Sequence, residues 1–193
     1  MQLITNEYRK LNENLHNTNQ NYGTSGHLYS DEVLSLCKRI NSFDVLDYGC
    51  GKNSLANTLP FSIKKYDPAI RAFHEDPEPA DLVVCTDVME HIEPELLEQV
   101  LLHIKSKCKK LVYFALSTSA AAKTLADGRN AHINLKTCVE WFNVISEHFV
   151  VLDYKKSGEL VVMIVAPEEK LVKLPEKQPI ESIESAVVTA GVN

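Results

Sequence analysis

Val45-Leu-Asp-Tyr-Gly-Cys-Gly-Lys-Asn53 is the stretch whose reading decides the fold, a buried strand that runs straight into a glycine turn. Val45 and Leu46 supply the apolar end of a strand, Asp47 sets a carboxylate at its tip, and Gly49 and Gly51 let the backbone approach a ligand closely. Two ligand classes fall away at once. A Walker-type phosphate loop needs Gly-Lys followed by Ser or Thr, whereas Gly51-Lys52 is followed by Asn53. The dinucleotide pattern needs a third glycine at position 54, which is Ser54, and an acid at the strand tip repels a pyrophosphate. The turn favours a cationic, phosphate-free ligand.

Working outward, the spacing of Leu3, Ile4, Tyr8, Leu11 and Leu15 predicts a helix to about residue 17, weakened by its asparagines. Asn21 to His27 reads as a loop, and a second helix over 31–40 follows, with Ser30 as its expected N-cap. Downstream the pattern predicts strand 43–48, helix 53–59, strand 62–67, strand 81–86, helix 94–106, strand 110–116, helix 135–147 and strands 149–155 and 159–166. Such alternation marks an α/β parallel sheet, and Lys155-Lys-Ser-Gly158 between the last two strands makes an antiparallel hairpin. The expected organisation is one domain over 1–167 with a helical cap at 1–42. After Pro167 the composition turns to Glu, Lys, Pro and Ser, and residues 168–193 read as a flexible or loosely docked tail.

The 193 residues suffice for one domain with a proper core. No apolar run is long enough to span a bilayer and no signal pattern opens the chain, so the expected location is the cytoplasm, a host's if the chain is viral. Five cysteines, at 37, 50, 85, 108 and 138, stand singly without C-x-x-C spacing, which indicates buried thiols rather than disulfides or a zinc site. A formal net charge of −6 argues against general nucleic-acid binding.

The turn at 47–53 resembles the first motif of class I S-adenosylmethionine-dependent methyltransferases, acid-x-Gly-x-Gly-x-Gly at the end of the first strand. The family's third glycine falls at Asn53, and Asn is the residue after glycine that best tolerates a left-handed backbone. The resemblance implies a Rossmann-like α/β fold with a mostly parallel, seven-strand-type sheet ending in an antiparallel hairpin. It also implies S-adenosylmethionine as cofactor, contacted at Asp47, Tyr48, Gly49, Cys50 and Gly51, at Asp67 and Pro68, and at Asp87 and Val88. Asp67 ends the second predicted strand, where a carboxylate is placed to accept both hydroxyls of a ribose. The third-strand region between Asp67 and Asp81 is shortened, which leaves the adenine contacts open among Arg71-Ala-Phe-His-Glu-Asp76.

The chemistry is expected beyond the strand Ala80 to Thr86. Asp87, Glu90 and His91 have i, i+3, i+4 spacing, which puts them on one face of a helical turn. His91 is the candidate general base, with Glu90 to orient it, and the Glu-His pair resembles that of ubiquinone-type O-methyltransferases. Asp87-Val-Met-Glu90-His91 with His132 resembles more loosely the small-RNA 2′-O-methyltransferases, which implies an alternative divalent-metal site at Asp87, Glu90, His91 and His132. The loop 117–134 is the longest without a clear element and carries Lys123 and Asp127-Gly-Arg-Asn-Ala-His132. Over about residues 43–150 the chain resembles short methyltransferases common in bacteriophage genomes. Tyr22 and His27 are candidates for the substrate pocket.

These readings converge on an O-methyltransferase acting on a small molecule or on a sugar or nucleotide hydroxyl, with His91 or His132 assisting deprotonation. A metal-assisted RNA methyltransferase, a non-catalytic binding protein of the same fold and a nicotinamide dehydrogenase are the alternatives.

Overall fold

The computed structural model describes residues 2–167, so the expected tail at 168–193 lies outside the described residues. Six strands form one sheet in the order β2-β1-β3-β4-β6-β5: β1 (Val45–Tyr48), β2 (Lys64–Tyr66), β3 (Ala80–Thr86), β4 (Cys108–Ser117), β5 (Val150–Ser157) and β6 (Leu160–Ala166). The first four are parallel, and β6 runs antiparallel between β4 and β5. No strand lies between Asp67 and Ala80, so the shortened region has lost its strand altogether.

The alternation of β3 shows how the sheet is held. Val83 and Cys85 face one side and pack with Leu101, Ile104, Trp141 and Ile145. Leu82 and Val84 face the other and pack with Val33, Leu36 and Leu55. Both faces are covered, so the central strands read as continuous apolar runs. Each fully buried Val or Leu contributes about 1.5–3 kcal/mol relative to exposure.

The helices are α1 (Asn6–Thr18), α2 (Ser30–Arg39), α3 (Ser54–Thr58), α4 (Leu97–Lys107) and α5 (Cys138–Ser146). Several bounds differ from expectation for local reasons. Ser30 lies inside α2, where its hydroxyl donates to the His27 carbonyl instead of capping. Pro94 opens a separate 3₁₀ turn, Pro94–Leu96, ahead of α4. A capping box between Thr137 and Glu140 sets the start of α5 later than 135. The β5–β6 turn falls at Gly158-Glu159, where Gly158 has φ +58°, so Lys155 and Lys156 remain in the strand.

A third, smaller apolar cluster joins α1 to the loop after β4 through Tyr8, Leu15, Leu125 and Ala131. Thr5 secures the start of α1: its hydroxyl accepts from Tyr8 N, while its own N–H and O–H both donate to the Glu93 carboxylate. Among the described residues all five cysteines are free, four buried and Cys138 half-buried, and no helix is long and apolar enough to cross a membrane.

Candidate active site

The glycine turn sits at the carboxyl ends of β1 and β2, where open α/β sheets bind ligands. Gly49 has φ +80° and Gly51 φ +50°, and Asn53 takes the left-handed conformation at φ +61°, as expected of the third glycine's stand-in. The glycines are also required by contact: a Cβ on Gly49 would lie 2.3 Å from Val88, and one on Gly51 would lie 2.6 Å from the carbonyl of Gly23. Lys52 completes this junction, its N–H donating to Gly23 O and its ammonium to Asn19 O. The segment after α1 is therefore strapped directly onto the turn.

Two carboxylates are buried here. Asp67 accepts from the N–H groups of Gly51 and Ala69, at 3.1 and 2.9 Å, and its carboxyl is raised above the usual carboxylate range by burial. Asp47 is pushed up to about 7, first by burial and then by the charge of Asp67. Among the described residues no ion pair reaches either one. A cavity of about 300 Å³ opens above them, lined by Tyr48, Gly49, Gly51, Asp67, Pro68, Asp87 and Val88. Asp47 and Cys50 do not line it. Asp87, held at φ +54°, accepts from the Tyr29 hydroxyl at 3.2 Å.

The same cavity continues to His91 and His132. His91 Nδ1 is 2.8 Å from the Ala131 carbonyl, which can only accept, so Nδ1 carries the hydrogen and Nε2 keeps its lone pair. His132 repeats the arrangement with Ser119 O at 2.6 Å, and the two rings meet edge to face with centroids 4.7 Å apart. Burial, reinforced by His132, lowers the His91 pKa to about 3.

Glu90 does not orient His91. The segment folds as a 3₁₀ turn, Met89–His91, which separates the three expected neighbours: Asp87 and His91 line the cavity, and Glu90 turns into the protein. Its Oε1 accepts from Ser117 N at 2.9 Å, its Oε2 has no partner, and its carboxyl is pushed up to about 8, chiefly by burial. For the same reason Asp87, Glu90, His91 and His132 do not converge as metal ligands, and among the described residues no group of three or more His, Cys, Asp or Glu is disposed to hold a metal.

The remaining wall comes from α1 and its strap, most of which sequence reasoning missed. Tyr8, Asn12 and His16 line the cavity from α1, and Tyr22 from the strap. Tyr22 donates to Asn12 Oδ1 and stands edge-on to His91 with ring centroids 5.7 Å apart. His16 is lowered to about 4 by burial and by Lys52. Tyr8, Asn12 and His16 stand at i, i+4 and i+8 in the first helix, but Tyr8 counts in the sequence among the apolar positions and the two polar residues after it give no sign of facing inward. His27 is exposed, its Nδ1 paired with Thr24 O, and it does not line the cavity. Of the adenine candidates, Asp76 is occupied structurally by His103 and Lys107 of α4, whereas Arg71 and Phe73 border an adjoining groove with Ala69 and Ile70.

Residues 12–157 match a family described as a methyltransferase domain. No curated protein matches the sequence. Among solved structures, the 1,6-didemethyltoxoflavin-N1-methyltransferase of Burkholderia thailandensis, crystallised with its substrate and S-adenosylhomocysteine, superposes with a TM-score of 0.62 at 13% identity over 88% of this chain and 93% of that one. The magnesium protoporphyrin IX methyltransferase of Synechocystis PCC 6803, with bound SAM, gives 0.56 at 11% identity over 86% and 100%. An S-adenosylmethionine-dependent methyltransferase from Clostridium acetobutylicum gives 0.53 at 12% identity over 83% and 99%. At such identities the likeness is one of fold.

Proposed function

This chain belongs to the class I S-adenosylmethionine-dependent methyltransferases, and from that premise we propose that it methylates an oxygen or nitrogen of a small molecule held between α1 and the loop after β4. The observation that carries the reading is the pair of buried carboxylates, Asp47 and Asp67, which no cation among the described residues neutralises. A raised carboxyl in a cleft, as Asp67 is, is a recognised mark of a ligand site, and a sulfonium or ammonium group beside it offsets both its burial and the repulsion from Asp47. The residues present thus fit the cofactor: Asp67 would take the ribose hydroxyls, and Gly49 and Gly51 would admit the methionine portion. Bound S-adenosylmethionine supplies an electrophilic methyl group.

The chain's own contribution is placement, the largest part of catalysis in a direct transfer between two bound partners. Nε2 of His91 accepts a hydrogen bond from the acceptor's O–H or N–H and so turns its lone pair toward the methyl group. A pKa of about 3 makes this imidazole a weak base. It therefore suits an acceptor whose proton is already acidic, such as a phenol or an azole, better than an aliphatic alcohol.

Calorimetry with S-adenosylmethionine tests the reading: a stoichiometric site is expected, and folded protein that takes up none refutes it. Asp67→Ala removes hydrogen bonds to a charged acceptor and should weaken binding by roughly tenfold to a hundredfold. His91→Ala should leave cofactor affinity within about twofold and lower turnover by ~10²-fold.

A further inference from the structure

The acceptor half of the cavity is built from a helix face of unusual chemistry. Tyr8, Asn12 and His16 fall at i, i+4 and i+8 and so share one face of α1, and all three line the cavity. Tyr8 and Asn12 are buried, at 3% and 6% exposure, where a helix leaning on its body normally places aliphatic side chains. Asn12 is satisfied, since its Nδ2 donates to Tyr8 O at 3.1 Å and its Oδ1 accepts from Tyr22. Among the described residues, Tyr8 Oη, beside the Asn12 amide, and His16 Nδ1 are both buried without a hydrogen bond of normal geometry. Buried polar atoms are ordinarily paired, so two orphans on one cavity wall point to groups that a ligand completes.

From the end of this stripe, rings follow one another along the wall: His16 to Tyr22 at 4.6 Å, Tyr22 to His91 at 5.7 Å and His91 to His132 at 4.7 Å. Such a chain of faces and edges suits a flat aromatic guest. The charges complete the description. Asp67 and Asp87 stand at the cofactor end, and Glu93, the remaining carboxylate of the lining, accepts from both the N–H and the O–H of Thr5. No arginine is among the lining residues, and Lys123, half-exposed on the loop after β4, is their one cation among the described residues. An anion would lose its water against phenols and the His16 and His91 imidazoles, which burial keeps neutral.

We infer that the methyl acceptor is an uncharged, planar aromatic bearing O–H or N–H groups, recognised by the Tyr8–Asn12–His16 face of α1 together with Tyr22. The inference rests on the proposed methyltransferase activity. It excludes phosphorylated and carboxylated acceptors, a free nucleotide and an RNA strand included.

The test is calorimetry on full-length protein loaded with S-adenosylhomocysteine, which blocks turnover. Naphthol and hypoxanthine serve as neutral probes, with hydroxynaphthoate and inosine monophosphate as their anionic counterparts. The neutral probes should bind at least about tenfold more tightly than the anionic ones. Tyr8→Phe keeps the ring and removes one hydrogen bond, so it should weaken the neutral probes by about fivefold. The same variant should leave S-adenosylhomocysteine affinity unchanged and should not lower Tm, because the buried hydroxyl it deletes has no hydrogen-bond partner among the described residues. Equal or tighter binding of the anionic probes, through Lys123 or otherwise, overturns the inference. So does failure of both neutral probes on cofactor-loaded protein, or a Tyr8→Phe variant that loses stability while its probe affinity stays unchanged. Protein that does not take up S-adenosylhomocysteine refutes instead the activity on which the inference rests.

Discussion

Replacing Glu90 by Gln should make this protein markedly less sensitive to alkali. The side chain is fully buried, with Oε1 accepting from Ser117 N and Oε2 unpartnered, and its pKa of about 8 stands well above the 4.5 of an exposed glutamate. Between those values the folded chain holds a proton that the unfolded chain has released. The stability this confers is complete below about pH 4.5 and drains away as pH rises through 8. For a folded pKa of 8, the proton-binding terms leave about 1.4 kcal/mol at pH 7 and about 0.1 kcal/mol at pH 9. Gln has nearly the same shape, keeps an acceptor for Ser117 and cannot ionise. Urea unfolding of both proteins at pH 7 and pH 9 reads the difference directly. The parent should lose about 1.3 kcal/mol more than Glu90→Gln across that window. Asp47, raised to about 7, adds its own alkaline loss, but equally in both proteins. Parallel losses in the two would refute the assignment of a buried, protonated Glu90.

Two further perturbations probe the strap and the cap. Gly51→Ala places a Cβ 2.6 Å from Gly23 O at φ +50°, so thermal unfolding should fall by several degrees and S-adenosylmethionine affinity by about tenfold. Gly128→Ala, at φ +89° with nothing within 4 Å, is the control and should cost only about 1 kcal/mol without touching affinity. Thr5→Ala removes the α1 cap and the hydroxyl's bond to Glu93, leaving only the backbone N–H bond, which should cost about 1–2 kcal/mol. Hydrogen exchange should then quicken in α1 while β3 and β4 stay protected.

What was legible in the sequence follows the range of the interactions. The glycine turn and its left-handed Asn53 are local, decided by residues within one strand-turn-helix unit, and they emerge as expected. The loss of the third strand was equally visible, because too few residues separate Asp67 from β3 to build a helix and a strand. The orienting role expected of Glu90 fails for a local reason. Helical spacing assumes 3.6 residues per turn, and the 3₁₀ geometry of Met89–His91 sends adjacent side chains to opposite environments. The partners that then define them, Ser117 for Glu90 and Ala131 for His91, lie 27 and 40 residues away and leave no trace in the motif.

The acceptor wall was hidden for a subtler reason. A helix rich in asparagine reads as marginal, and its apolar positions Leu11 and Leu15 account for docking onto Leu125 and Ala131. Once docking is explained, with Tyr8 counted among the apolar positions, Asn12 and His16 look like incidental polar neighbours. Only the burial of Tyr8 and Asn12 shows that the stripe faces inward, where each polar atom must be matched or left costly. The weakness of α1 is then consistent with its position. It is fastened at one end by Thr5 to Glu93 and past the other by Lys52 to Asn19, with only a small apolar cluster between. A helix of high intrinsic stability would not need those two clasps.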